Sequence, residues 1–274
     1  MAGGTMTLPT LTSEQFLLIQ QVLNLSVATM GGAALLFVLL REQVGRPYRA
    51  ALIVMAVAVG MACYHYTQIL GSWTAAYAPS GGAYRPTGLP FQDASRYADW
   101  LSTVPLILSA LLLVLDIGRQ KTTRLMVRLG GAAALMIALG YPGEIEQGNL
   151  LARALWGLAG TVPFLYILWV LWGELAGAVR HDTPGVRQRF ARLRWLLLAS
   201  WSLHPLVYAF PLLGLTGASA LIAGQVGHSV ADLTAKVFYG LLIYGIAREK
   251  TLDAGMGSQF PQEGRAAPPV LGSD

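Results

Sequence analysis

Seven long apolar stretches constrain the fold of this chain more than any other feature of its sequence. A helix needs about 20 predominantly apolar residues to cross the hydrocarbon core of a membrane. Only 12% of the 274 residues are charged, whereas a soluble domain carries about 25%. The sequence therefore predicts an all-α membrane protein, a bundle of seven transmembrane helices. The predicted spans are 14–40, 48–73, 94–117, 123–142, 150–177, 191–213 and 218–247.

Lys and Arg are distributed unevenly between the two ends of the predicted bundle. Fifteen of the 19 fall on one side and three on the other, and the last is Lys236 within a span. Cytoplasmic loops carry the excess of positive charge. We therefore expect the N-terminus outside and the C-terminus in the cytoplasm, which requires an odd number of spans, in a cell inner or plasma membrane.

The chain divides by composition into three parts. We expect residues 1–13 to form an extracellular N-terminus and residues 14–250 to form the seven-helix domain. Residues 251–274 are mainly Gly, Pro and charged residues, which predicts a disordered cytoplasmic tail. Gly, Pro and Ser residues at 79–90 and 142–148 predict loops, and the first of these is long enough for a small hairpin.

Composition also excludes two classes of function. The arginines are scattered between apolar stretches and form no basic face, so no nucleic-acid partner is expected. Cys63 is the single cysteine of the sequence, which rules out a disulfide framework and a cysteine-based metal site. We expect no metal.

Several ionisable side chains lie inside the apolar stretches, where a charge costs at least about 2.5 kcal/mol and therefore indicates a function. His228, Asp232 and Lys236 are four residues apart in the seventh span, so they share one helix face. A lone Lys can instead pair with an Asp to join two helices, and a lone His is often a hydrogen-bonded core residue. The others are His65 in the second span, Arg96 and Asp99 in the third, and His204 in the sixth.

The third span carries a second polar stripe. Arg96, Asp99 and Thr103 share a face, so the Thr103 hydroxyl can donate to the Asp99 carboxylate. Each stripe supplies one aspartate and one cation. The four charges sum to zero, as a site of low dielectric requires. His65 lies at a depth similar to that of Asp99, so the two side chains can meet. This combination, with aromatic residues at matching depth, favours a functional site over isolated structural roles.

Three segments resemble signatures of microbial rhodopsins. Residues 96–106, RYADWLSTVPL, resemble the third-helix signature, and residues 231–236, ADLTAK, resemble the retinal-attachment segment of the seventh helix. Residues 201–208, WSLHPLVY, are similar to the aromatic cage of the sixth helix. Residues 64–73 and 140–144 are similar to segments of proteorhodopsins and xanthorhodopsins, whose second-helix histidine partners and tunes the counterion.

The resemblance implies that Lys236 carries all-trans retinal as a protonated Schiff base. Asp99 is then the primary counterion and proton acceptor, and Asp232 is the second counterion. The other members of this polar network are Arg96, Thr103, His65 and Tyr66. The side chains implied to hold the retinal are Trp100, Ile107, Phe164, Trp201, His204, Pro205 and Tyr208.

The sequence departs from the family pattern at three places. The family's cytoplasmic proton donor lies eleven residues after the acceptor, where this chain has Ala110, which cannot carry a proton. His204 stands where the cage usually has a Tyr, and it can hydrogen-bond to Asp232. The last loop, 214–225, has no carboxylate pair for proton release.

Gly157 has two interpretations. A small residue at this place resembles the feature of xanthorhodopsins that opens a window beside the retinal ring for a carotenoid antenna. Glycine is also the residue that lets neighbouring membrane helices pack closely. The sequence leaves both interpretations open.

These features favour light-driven outward proton transport by a protein that is not an enzyme. A photosensor that signals through a separate transducer is the main alternative, because a missing donor suits a long-lived state. Inward proton transport has less support, since inward pumps of the family typically lack an Asp at the place of Asp232. Asp99 disfavours chloride transport, and the lack of an Asn-Asp pair in the third helix disfavours sodium transport. The expected partners are membrane lipid, protons and copies of the chain in a trimer or pentamer.

Overall fold

The computed structural model describes residues 8–92, 95–146 and 148–255 of the chain. Within this part the seven predicted helices are present and pack into one bundle. They are α1 (Ser13–Leu40), α2 (Arg46–Ala76), α3 (Ser95–Leu115), α4 (Arg119–Ile145), α5 (Leu150–Trp172), α6 (Pro184–Tyr208) and α7 (Gly217–Asp253). Short helical segments follow α1, α5 and α6 at Arg41–Gln43, Glu174–Ala178, Val179–His181 and Pro211–Leu213.

α6 has a shorter apolar stretch than the other six helices. The other six are long and apolar enough to cross a membrane. The first half of α6 carries four arginines, between Arg187 and Arg194, at the end predicted to be cytoplasmic. The apolar remainder is shorter than the roughly 20 residues that a span needs. Long arginine side chains reach back to the membrane surface while their stems stay in apolar surroundings, which lets such a helix sit in the bundle.

The loop predicted at 142–148 begins later in the structure than the sequence suggested. Pro142 lies inside α4, which continues to Ile145. A proline removes one N–H donor and one helical hydrogen bond, but membrane helices tolerate it where neighbouring groups satisfy the freed carbonyl. Proline inside a span is therefore a weaker stop signal than the prediction assumed.

Other helix ends also differ from the predicted spans. α5 and α6 each end five residues early, at Trp172 and Tyr208. The chain leaves α5 through Gly173, and Gly214 after α6 has the left-handed φ of 73° that favours glycine. α2, α4 and α6 begin two to seven residues earlier than predicted, because their polar first turns were assigned to loops.

α7 continues past the predicted start of the tail. It is helical through Asp253, so the predicted boundary at 251 is wrong by three residues. Thr251 is buried, donates to the Ala247 carbonyl at 2.7 Å and accepts from the Gly45 N–H at 2.8 Å. These bonds fix the end of α7 against the start of α2. The remainder of the predicted tail, 256–274, lies outside the described residues.

A three-stranded sheet lies at one end of the bundle. β1 (Leu11–Thr12), β2 (Tyr77–Ser80) and β3 (Ala83–Pro86) pair antiparallel in the order β1-β3-β2. Gly81 and Gly82 connect β2 to β3 with φ values of 57° and 80°, as a two-residue hairpin turn requires. The hairpin predicted at 79–90 is therefore present, and it begins two residues earlier, at Tyr77. We call this end of the bundle the hairpin end and the opposite end the arginine-rich end.

α7 packs one face against α1, α2, α3 and α6 and leaves the other face exposed at Val230, Phe238 and Leu241. Its middle, Thr234–Phe238, is a π-helical segment. Gly240 follows this segment and packs directly on the Phe37 ring of α1, where a Cβ would collide with the ring. The close approach of α1 and α7 next to the π-helical segment depends on this glycine.

Candidate functional site

Lys236 lies in the π-helical segment at the centre of the bundle. Its side chain is 2% exposed. Its Nζ donates to Asp99 Oδ2 at 2.7 Å and to Asp232 Oδ1 at 2.9 Å. Removing an ammonium group from water costs several kcal/mol unless such partners compensate for the loss. Single π-helical turns occur frequently at functional sites, and here the turn carries the central cation of the cluster.

Asp232 is held by donors from three helices. Its Oδ2 accepts from Tyr66 Oη of α2 at 2.7 Å, and its Oδ1 accepts from Trp100 Nε1 of α3 at 2.9 Å as well as from Lys236. Arg96 Nη1 lies 3.8 Å from the same Oδ2. Charge-assisted hydrogen bonds of this kind are about twice as strong as neutral ones. They hold Asp232 in place as a fixed anion.

Arg96 extends the cluster towards the hairpin end. It is 2% exposed, and its guanidinium donates to Tyr66 Oη at 2.9 Å and to Gln225 Oε1 at 2.5 Å. The sequence analysis missed Gln225, because a search for charges passes over an uncharged amide. Its spacing of three residues from His228 on α7 was a usable signal.

Asp99 has a less complete set of partners than Asp232. The predicted hydrogen bond from the Thr103 hydroxyl to the Asp99 carboxylate is wrong. Thr103 Oγ1 donates instead to the backbone carbonyl of Asp99 at 2.8 Å, the usual bond of a Thr inside a helix to the preceding turn. Asp99 Oδ1 is buried and has no hydrogen-bond partner among the described residues.

His65 does not meet Asp99 in the way its depth suggested. No hydrogen bond or ion pair joins the two side chains, both of which belong to the described part of the chain. The half-buried His65 ring packs edge-on against the Tyr64 ring, with centroids 5.4 Å apart. A charge on His65 therefore acts on the Asp99 carboxylate through space only.

His204 also has a different partner from the predicted one. Its Nε2 lies 3.9 Å from Asp232 Oδ1, too far for a hydrogen bond. Its Nδ1 instead lies 3.0 Å from Nδ1 of His228. Both rings also pack against the Trp100 indole, with centroids 4.4 Å and 5.6 Å away.

A cavity of about 840 Å³ opens beside Lys236 and reaches the hairpin end at Leu89 and Pro90. This volume lies within the range of small-molecule sites, and most of the wall is apolar or aromatic, as in such sites. Asp99, Thr103, His65 and Tyr66 stand behind the wall. The predicted site residues that line the cavity are Arg96, Trp100, Ile107, Gly157, Phe164, Trp201, His204, Pro205, Tyr208, Asp232 and Lys236.

Tyr208 and Gly157 form one side of this cavity. The Tyr208 ring covers Gly157 so closely that a Cβ there would lie 2.6 Å from the ring. Arg153, which the sequence analysis did not single out, fixes Tyr208 in this position. Its Nη2 donates to the Tyr208 carbonyl at 2.9 Å and to Glu144 Oε2 at 2.8 Å, and the Tyr208 hydroxyl donates to the Arg153 carbonyl at 2.6 Å. Arg153 thereby joins α4, α5 and α6.

Comparison with known proteins places this site in a family. The family described as bacteriorhodopsin-like protein matches residues 17–250, most of the chain. The chain belongs to the bacteriorhodopsin-like family. It is 26% identical over 255 residues to the blue-light absorbing proteorhodopsin of Gamma-proteobacterium Hot 75m4, and the match covers 92% of each protein.

Solved rhodopsin structures share the fold. Thermophilic rhodopsin matches with a TM-score of 0.86 at 43% identity, and xanthorhodopsin with a TM-score of 0.87 at 42% identity. Each match covers 90% of this chain and 99% of the other chain. Xanthorhodopsin is described as a light-driven ion pump with a dual chromophore. The resemblance to proteorhodopsins and xanthorhodopsins is confirmed, and the chain is a multi-pass protein of the cell membrane.

The residues around Lys236 fit the retinal that the rhodopsin family implies. Retinal is an apolar polyene with an aldehyde at one end, so its site needs an apolar cavity and a primary amine. Lys236 is the one lysine among the described residues that line the cavity, and aromatic side chains surround the space next to it. The buried Asp99 Oδ1 leaves an acceptor position directly beside this amine.

Proposed function

We propose that this rhodopsin is a light-driven outward proton pump that carries all-trans retinal as a protonated Schiff base on Lys236. The observation that carries the proposal is the position of the Lys236 nitrogen at the cavity wall, 2.7 Å from Asp99 and 2.9 Å from Asp232. The family relationship to proteorhodopsins, and to a xanthorhodopsin described as a light-driven ion pump, supports it.

The cavity residues named above would hold the cofactor between α3, α5 and α6. Trp100 and Trp201 would flank the polyene of retinal, and Phe164 would lie at the end of the polyene far from Lys236. When bound, retinal supplies the absorption of light and the change of shape that moves the Lys236 nitrogen. Everything else in the pumping cycle depends on where the protein places proton acceptors around that nitrogen.

The two aspartates beside Lys236 are unequal, and the difference selects the acceptor. Asp232 accepts hydrogen bonds from Tyr66 and Trp100 in addition to Lys236, so its charge is already compensated. Asp99 accepts from Lys236 on one oxygen, and its other oxygen has no partner among the described residues. A carboxylate with fewer donors binds a proton more readily. Asp99 therefore takes the proton and Asp232 remains ionised.

The surroundings of the cluster give the transfer a direction. On the hairpin side, Arg96 and Gln225 continue the polar network away from the aspartates. On the arginine-rich side, Ala110 and Leu111 are fully buried and apolar. Outward transport moves the charge of the proton against a membrane potential of about 100 mV, which costs about 2.3 kcal/mol, so backflow has to be prevented. These apolar residues slow proton exchange with the arginine-rich side, so the proton on Asp99 leaves towards the hairpin end, which is predicted to be outside, before the Lys236 nitrogen regains a proton from the arginine-rich side.

The direct test is the pH of an unbuffered suspension of cells that express the protein and are supplied with retinal. Illumination is expected to acidify the medium, and a protonophore is expected to abolish the acidification. Light-driven alkalinisation that the protonophore abolishes would mean inward transport. An unchanged pH in visibly coloured cells would favour a photosensor, the alternative that the buried Ala110 motivates.

Ala110→Asp is expected to speed the return of a proton to the Lys236 nitrogen by about a hundredfold, the usual gain from a positioned acid. Ala110 is fully buried and lies eleven residues after Asp99 on the same helix face, about 16 Å towards the arginine-rich end. Flash spectroscopy measures the rate. Ala110→Asn has the same shape without the acid and should stay as slow as the wild type. Equal rates in the two variants would contradict the assignment of this position.

A second chromophore stays a prediction. The dual chromophore belongs to the description of xanthorhodopsin, and Gly157 lines the cavity as a window would require. The same glycine is covered by the Tyr208 ring, which agrees with its alternative role in close packing. The assembly of the chain into a trimer or pentamer also stays a prediction.

A further inference from the structure

His204 of α6 and His228 of α7 form an imidazole pair in the cavity wall. Their Nδ1 atoms are 3.0 Å apart and their rings are inclined by 19°. At this distance one nitrogen carries a proton and the other accepts it, because two N–H groups or two lone pairs would repel each other. The pair therefore holds one shared proton between two helices.

The pair lies between the aspartates and the hairpin end. His228 precedes Asp232 by one helical turn and Lys236 by two turns on the same face of α7. His204 Nε2 lies 3.9 Å from Asp232 Oδ1, across the helix interface. Both histidines line the cavity that continues to the hairpin end. The pair therefore lies in the wall of the space that leads from Asp232 to the hairpin end.

We propose that the His204–His228 pair is the proton-release site of this rhodopsin: it holds the transported proton after Asp99 and before the outer side. This inference rests on the proposed function as a pump. His204 Nε2 takes the proton and the ring becomes an imidazolium, while its Nδ1–H donates to His228 Nδ1 in a charge-assisted hydrogen bond. Loss of one proton towards the hairpin end restores the neutral pair.

The charges around the pair favour this site at one stage of the cycle. Among the described residues, the charged groups that face it are Asp232 and Lys236 of α7 and Arg96 of α3. Before light, both cations balance Asp99 and Asp232, and a neutral pair keeps the cluster at zero. Once the Lys236 nitrogen has lost its proton and Asp99 has passed it on, the cluster lacks one positive charge. An imidazolium beside Asp232 restores the balance that a buried cluster requires.

The pair also supplies what the last loop and the first turns of α7, residues 214–225, do not. Residues 214–225 contain no carboxylate, so that segment has no acidic group to store a proton at the hairpin end. An imidazole ring has two nitrogens, so it can take up a proton at one nitrogen and release a proton from the other. Two such rings in direct contact provide a storage group in the wall of the cavity instead of in the loop.

The first test needs neither light nor retinal. Magnetic resonance of the retinal-free protein with isotope-labelled histidine is expected to detect a spin coupling across the hydrogen bond between the two Nδ1 atoms. His228→Asn should remove the coupling. His181→Asn is the matched control, because His181 is exposed at the arginine-rich end. Absence of the coupling in the wild type would overturn the pair.

The second test times the release of the proton. A pH-indicating dye outside liposomes that contain the retinal-loaded protein is expected to report release in step with the decay of an imidazolium infrared band. In His204→Asn and in His228→Asn the band should vanish, and release should slow by about a hundredfold. His181→Asn should behave as the wild type.

The outcomes separate this inference from the proposed function. A wild type that pumps outward, with release equally fast in both pair variants, would overturn the pair alone. A wild type that moves no protons in the illuminated suspension would overturn both proposals. Slow release in the two pair variants, with release in His181→Asn as fast as in the wild type, is the expected result.

Discussion

Replacing Lys236 by alanine is expected to leave the purified protein colourless after all-trans retinal is added, while the wild type gains a visible absorption band. Lys236 is the one primary amine among the described residues that line the cavity. Without it the aldehyde has no amine with which to form a covalent bond. The absorption spectrum between the near ultraviolet and the red measures the outcome.

The structure suggests how to separate loss of the amine from loss of the fold. Lys236→Ala leaves two buried aspartates with one cation, and breaking a buried ion pair costs about 3–5 kcal/mol. Lys236→Arg keeps the positive charge but has no primary amine, so it should be folded by circular dichroism and equally colourless. Lys121→Ala, at an exposed position of α4, should keep the colour. Visible absorption by the folded Lys236→Arg protein would contradict the assignment.

The positions of the buried charges were predictable because helical geometry fixes them. Asp232 and Lys236 are four residues apart, and that spacing places both on one face whatever the neighbouring helices do. A charge inside a span is also costly enough to indicate a function by itself. Lys236 with an aspartate on each of two helices could therefore be identified from the amino-acid sequence alone, and the cluster is present in the folded bundle.

The partners of individual polar groups were not predictable in the same way. The Thr103 hydroxyl had two acceptors on the residue one turn away, and it bonds the backbone carbonyl instead of the carboxylate. His204 was expected to reach Asp232, yet it pairs with His228. The rotamer of Thr103 decides the first choice, within α3, and shifts of about 1 Å between α6 and α7 decide the second. Sequence spacing gives a helix face without giving these rotamers and distances.

The local backbone of the site also lacks a sequence signal. Nothing in the segment TAKVF distinguishes the π-helical turn around Lys236 from an ordinary α-helical turn. Prolines are similarly ambiguous, since Pro142 lies within α4 while Pro211 follows the end of α6. In both cases the packing of neighbouring helices, which involves residues distant in sequence, decides whether a broken backbone hydrogen bond is tolerated.

Asp99→Asn is expected to keep the colour, shift the absorption to longer wavelength and abolish outward proton transport. An amide oxygen at the place of Oδ2 carries no negative charge and cannot take the proton of the Lys236 nitrogen, which lies 2.7 Å away. Loss of a positioned proton acceptor costs at least about a hundredfold in rate. The shift follows because one anion fewer stabilises the positive charge on that nitrogen.

Asp116→Asn is the matched control, since Asp116 is exposed at the arginine-rich end of α3. It should leave both the colour and the light-driven acidification of the cell suspension unchanged. Asp232→Asn separates the two carboxylates of the site. Tyr66 and Trp100 would lose the charged group to which they donate hydrogen bonds. The colour and the stability of this variant should therefore change, while Asp99 should remain the proton acceptor. Full acidification by Asp99→Asn would instead assign the acceptor to Asp232, and would mean that the hydrogen bonds around Asp232 do not prevent it from taking a proton.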